Sequence, residues 1–166
     1  MVEKDAVYKG KIRHKGIFNF PETYRFLYTW LVDNDYLVTE KKYTEKITPI
    51  GKEVEIQWEA FRKISDYFKF VIKVSWRILG MNEIEVQKNG AKIKMNKGDT
   101  EISFQAVIEK DYEHRWENSG FLKFLRGVYD RYIIRGRIDS YENKIFEEVD
   151  ELIAEAKSFL ALEGKH

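Results

Sequence analysis

Three histidines, His14, His114 and His166, are the only imidazoles in the chain, and there is no cysteine. No His-x-x-x-His or carboxylate spacing surrounds them, so their pattern does not suit a metal site. The lack of thiols removes cysteine nucleophiles, thiolate zinc sites and disulfides together. No Gly-rich phosphate loop and no Gly-x-Ser-x-Gly elbow interrupts the strands. The sequence therefore implies no metal, no cofactor and no assignable catalytic residue. A carboxylate pair, which would assemble in space and not in sequence, stays open, and so does proton transfer by Tyr8, Lys110, Tyr112 and His114, which continue the inward phase of neighbouring strands. Burying Lys110 unpaired would be costly. Either a bulge turns these residues outward, or they form the polar end of a cavity.

A second grouping is cationic. From His114 to Arg137 there are six Lys/Arg (Arg115, Lys123, Arg126, Arg131, Arg135, Arg137) against Glu117 and Asp130. From Asp139 to Leu162 there are seven acids against Lys144 and Lys157. Two solvated helix faces that attract each other would explain this. So would a basic patch for phosphate, anionic lipid or RNA, with Phe121, Phe124, Tyr129 and Tyr132 available for stacking. Arg126 stands four residues before Asp130, as a helical ion pair requires. The expected anion site is weak: Arg131 and Arg135 on one face, with Arg137 beside Gly136.

These residues sit in a chain of 166 residues, 43% hydrophobic and 34% charged, with a net charge of +1. That composition fits one folded domain over residues 1–166, and it excludes a disordered chain or a strongly basic nucleic-acid binder. No run approaches the ~20 apolar residues of a membrane span, and the N-terminus lacks an apolar segment of signal-peptide length. The expectation is a cytoplasmic protein without a transmembrane segment.

Alternation of apolar and polar residues predicts strands. Phe68, Phe70, Ile72, Val74, Trp76 and Ile78 share one face; Val54, Ile56, Trp58 and Ala60 do so before them. Ile84 and Val86, then Ile93 and Met95, then Ile102, Phe104, Ala106 and Ile108 follow. Asn89-Gly90 has the composition of a type I′ hairpin. Turns are also expected at Pro49-Ile50-Gly51, Ser65-Asp66, Gly80-Met81-Asn82 and Asn96-Lys97-Gly98-Asp99. With less regular strands near 6–15 and 36–46, the sheet has seven strands. Pro21 opens a helix carrying Tyr24, Leu27, Tyr28 and Leu31, which ends near Asp33-Asn34-Asp35. A second helix is expected over 119–134, ending at Arg135-Gly136-Arg137. The last runs over 139–162 from a capping box at Asp139 and Glu142, with Tyr141, Ile145, Val149, Leu152, Ala156 and Phe159 in one stripe.

Strand, helix, six meandering strands and a long C-terminal helix make an α+β order. With Phe20-Pro21-Glu22-Thr23-Tyr24 opening the first helix, it resembles the START-like, or helix-grip, superfamily of polyketide cyclases, lipid-transfer domains and hormone receptors. The resemblance implies a curved antiparallel sheet wrapped around the C-terminal helix, with a cavity between them. The helix at 119–134 is an addition to that plan, a lid, an oligomerisation element or part of a bent helix.

Tyr8, Trp58, Phe70, Trp76, Phe104, Leu152, Ala156 and Phe159 would line such a cavity, and they would equally make an ordinary core. The leading expectation is a non-enzymatic protein that binds an apolar small molecule or lipid. The alternatives are a protein- or RNA-interaction module using the sheet or the basic helix, and a cyclase- or hydrolase-type enzyme.

Overall fold

A computed structural model describes residues 3–65, 67–110, 120–128 and 135–163. The chain begins with strand β1 (Glu3–Phe18) and helix α1 (Phe20–Asp33). Four strands follow: β2 (Leu37–Thr48), β3 (Gly51–Lys63), β4 (Phe68–Lys88) and β5 (Ala91–Lys110). Helices α2 (Gly120–Val128) and α3 (Arg135–Glu163) come last. All strand pairs are antiparallel, in the order β1-β5-β4-β3-β2. β1 and β2 are thus opposite edges, and α1 joins them.

The α+β class and the antiparallel sheet agree with the sequence reading; the number of strands does not. The sheet has five strands, because β4 and β5 each run through a segment read as a turn. At Gly80-Met81-Asn82 the register shifts between Leu79 and Asn82, and Gly80 has φ +62°. This is a β-bulge, with an extra residue absorbed at a glycine that tolerates positive φ. Asn96–Asp99 is likewise continuous strand, paired with Lys15–Phe18 of β1. The expected turn at Asn89-Gly90 is present, both residues having positive φ.

Inward-facing residues of β3, β4 and β5 form the core with the helices. Val54, Ile56, Trp58, Ala60, Phe68, Phe70, Ile72, Val74, Trp76 and Ile78 are all buried, as their alternation predicts. Helix α1 starts where Asn19 caps it, its side chain accepting from the Glu22 amide at 3.1 Å, with Pro21 in the first turn. It buries Thr23, Leu27, Trp30 and Leu31.

Helix α3 buries Ile145, Val149, Leu152, Ile153, Ala156 and Leu160 in the same cluster. It begins at Arg135, so Asp139 lies inside the helix and does not cap it. The expected break at Arg135-Gly136-Arg137 is also helical. Gly136 is the second residue of α3, in a first turn whose amides have no intrahelical partner to lose, and its cost there is small against six buried side chains on the helix's stripe. Of the helix expected over 119–134, Gly120–Val128 is described. Gly10 lets α3 approach β1: a Cβ there would collide with Ile153 Cδ1. Both α1 and α3 therefore cover the same face of the sheet.

Candidate functional site

The edge strand β2 and helix α1 leave an aromatic cleft between them. α1 contributes Phe20, Pro21, Tyr24, Arg25 and Tyr28, and β2 contributes Tyr43, around a volume of about 410 Å³. Three α1 rings face one way because Phe20, Tyr24 and Tyr28 recur every fourth residue, which stacks side chains on one helix face. Tyr43 faces them through a bulge. The register of β2 on β3 shifts between Glu40 and Lys42. After it, Tyr43 stands opposite Ile56 and Glu45 opposite Val54, on the side where Glu40 stands opposite Trp58.

Trp58 and Trp76 lie beneath the cleft, their rings 5.4 Å apart. Trp58 meets Tyr24 edge-on at 4.9 Å and Tyr28 at 6.1 Å; Trp76 meets Phe20 at 6.2 Å. Such edge-to-face contacts suit aromatic quadrupoles. Glu40 ties the rim together. One of its oxygens accepts from the Tyr24 hydroxyl at 2.8 Å and from Trp58 Nε1 at 3.3 Å. The Tyr43 hydroxyl donates to Glu45 at 2.9 Å. Burial first, and then these hydrogen bonds to carboxylates, push the phenols of Tyr24 and Tyr43 up to about 12. Two buried polar atoms, Trp76 Nε1 and Thr100 Oγ1, have no hydrogen-bond partner among the described residues.

The residues expected to line a cavity against the last helix are distributed as follows. Trp58, Phe70, Trp76, Phe104, Leu152 and Ala156 belong to one buried cluster. Tyr8 is half-buried and meets Phe146 of α3 edge-on at 4.7 Å. Phe159 is half-buried and stacked on Phe26 of α1 at 4.8 Å. Of this set, Trp58 and Trp76 make ring contacts with the aromatic residues of the cleft.

Of the expected anion site, Arg137 is exposed on α3, Arg135 opens that helix, and Arg131 lies outside the described residues. Of the polar residues in inward phase, Lys110 is half-buried opposite Phe68; Tyr112 and His114 lie outside the described residues. His14 Nε2 is 2.8 Å from the Ile17 carbonyl. Among the described residues no group of three or more His, Asp or Glu could hold a metal, and no helix is long and apolar enough to cross a membrane.

Sequence reasoning missed two arrangements. One is Arg62 of β3, whose guanidinium is 2.8 Å from Glu148 of α3 and 2.8 Å from the Asn34 carbonyl. The Tyr36 hydroxyl donates to the same carboxylate at 3.0 Å, and burial drives that phenol far above its ordinary range. The other is a trough of about 530 Å³ on the outer face of the sheet, lined by Lys9, Lys11, Lys73, Ser75, Ser103 and Gln105 among others. Strand alternation alone would have placed its three lysines on one face.

No family model matches the chain, and no curated protein does. Among solved structures, a similar chain is an uncharacterized protein from Rhizobium leguminosarum. It is 11% identical, with 98% of this chain and 99% of that chain covered, at a TM-score of 0.24. A likeness at that level carries no argument about fold or function.

Proposed function

We propose that this chain is a non-catalytic protein that binds a small apolar molecule in the cleft between α1 and β2. The observation that carries the reading is a cleft of about 410 Å³ walled by Phe20, Tyr24, Tyr28 and Tyr43. That volume and an apolar lining with a few polar groups suit a small-molecule site. The START-like resemblance is kept within this proposal. It is supported by a strand, a helix, an antiparallel meander and a long last helix, with α1 and α3 on one face. The molecule is assigned to the α1 side because the aromatic cleft lies there.

The test is fluorescence of the uncharged probe N-phenyl-1-naphthylamine. Tyr28 and Tyr43 are 42% and 43% exposed, so replacing both with alanine leaves the core intact. The expected result is probe binding by the native chain and its loss in a folded Tyr28→Ala, Tyr43→Ala variant. Absence of binding, or binding untouched by both changes, refutes the reading.

The outer trough favours a second reading, an interaction module that meets a polyanion with its sheet. Lys9 and Lys73 flank Gln105 across three strands, and Lys11, Ser103 and Ser75 stand side by side in the next row on the same face. Binding of a single-stranded RNA should then weaken with salt, and Lys9→Glu with Lys73→Glu should flatten that dependence.

A further inference from the structure

We infer that the occupant of the α1–β2 cleft is an organic cation, a quaternary or alkylated ammonium group held against the tyrosine rings beside Glu40. The inference rests on the binding reading above and adds the charge of the ligand.

The walls offer ring faces, and the negative face of an aromatic ring attracts a cation. Of the polar groups around the cleft, three donors are turned away from a ligand. The donors of Tyr24, Tyr43 and Trp58 are already committed to Glu40 and Glu45. What these phenols leave for a ligand is oxygen lone pairs and π-density, which an anion cannot use. The one cation in the lining, Arg25, is engaged with Glu22 at 3.0 Å.

Glu40 supplies the countercharge. It is exposed on β2 and held by two neutral donors; among the described residues no cation forms an ion pair with it. Its neighbours are accounted for elsewhere: Lys42 pairs with Glu55 at 2.6 Å, and Lys52 with Glu45 at 3.7 Å. Lys41 is exposed on the bulge. A carboxylate hydrogen-bonded to the Tyr24 wall of an aromatic cleft, with no ion-pair partner among the described residues, favours a positively charged guest. A quaternary ammonium suits the cleft best, because it has no N–H to satisfy and is weakly hydrated.

The experiment compares choline with 3,3-dimethylbutan-1-ol, which has carbon in place of the charged nitrogen and the same shape. Each is titrated into the full chain by calorimetry. Choline should bind about tenfold more tightly, as a partly desolvated cation–π contact allows. In Glu40→Gln, which keeps an acceptor for Tyr24 and Trp58, choline should lose most of that advantage while the alcohol is unaffected. Equal binding of the two compounds by the native chain overturns the inference without any variant being needed. So does a choline preference that survives in folded Glu40→Gln. Failure of both compounds, with the naphthylamine still bound, overturns the charge and leaves the apolar cleft standing. Failure of all three overturns both readings.

Discussion

Arg62 and Glu148 come from elements far apart in the chain and meet at 2.8 Å, with only 16% and 17% of their side chains exposed. The guanidinium also lies 4.9 Å from the centre of the Tyr36 ring and 5.4 Å from that of Phe70. β3, β4, α3 and the loop after α1 are thereby joined by one charged group. Removing one partner leaves the other charge poorly solvated. Arg62→Met or Glu148→Leu alone should destabilise the fold by about 2–4 kcal/mol, and the double change by less than their sum. Urea denaturation of the three variants checks this; additive effects would show that the pair does not act as a unit.

Gly10 and Ile153 set the distance between β1 and α3, since a Cβ at Gly10 would meet Ile153 Cδ1. Gly10→Val should cost about 1–3 kcal/mol through overpacking. Ile153→Ala in the same chain should recover part of that loss, although alone it leaves a cavity. Thermal unfolding of the single and double variants measures the recovery.

Thr100 is buried between His14 on β1 and Ile78 on β4, and its hydroxyl has no partner among the described residues. An unsatisfied buried hydroxyl carries a desolvation penalty that an isosteric methyl does not. Thr100→Val should therefore leave stability unchanged or raise it by about 1 kcal/mol. A loss larger than that, measured by denaturant unfolding, would reveal a hydrogen bond to water or ligand at this position.

Tyr24 and Tyr43 give an alkaline signature. Their phenols ionise near pH 12 in the folded chain, against an ordinary value of 10. The unfolded chain releases those protons first. The stability contribution is therefore full below pH 10 and lost as pH rises from about 10 to about 12. Phenolate absorbance should show Tyr24 and Tyr43 titrating after the ordinary tyrosines and before Tyr36, whose burial holds it higher still, and Glu40→Gln should move the Tyr24 midpoint downward. Titration of both at the ordinary tyrosine value would contradict the partly covered, hydrogen-bonded geometry.

Much of the core was legible because alternation in β3 and β4 matches the burial of every inward residue from Val54 to Ala60 and from Phe68 to Ile78. The strand count was not legible, because a change of phase looks like an end. In β5 the buried Met95 and Ile102 are an odd number of positions apart, so they fall on opposite faces of one unbroken strand. The break in pattern marks a change in which face is covered. In β4 the extra residue is at the Gly80 bulge, which shares the glycine signature of a turn.

The cleft was half legible. The α1 ring spacing is visible in the sequence. The approach of Glu40 and Tyr43 depends on the extra residue at Lys41, which reverses the parity of β2 midway and carries no pattern of its own. Arg62 and Glu148 could not be paired from sequence, since ion pairs between distant elements assemble only in space.

The same bulge governs how this protein meets other copies of itself. β2 ends the sheet, and among the described residues no strand pairs with its outer backbone groups, which a strand from another molecule could meet. A flat edge of that kind templates cross-molecular pairing and fibre growth. Here the extra residue interrupts the regular ladder, and Glu40, Lys41, Lys42, Glu45 and Lys46 crowd it with charge. An incoming strand would have to match an irregular register while bringing charges of the right sign to each position. The irregularity that brings Tyr43 round to the cleft thus also makes the edge a poor seed for aggregation.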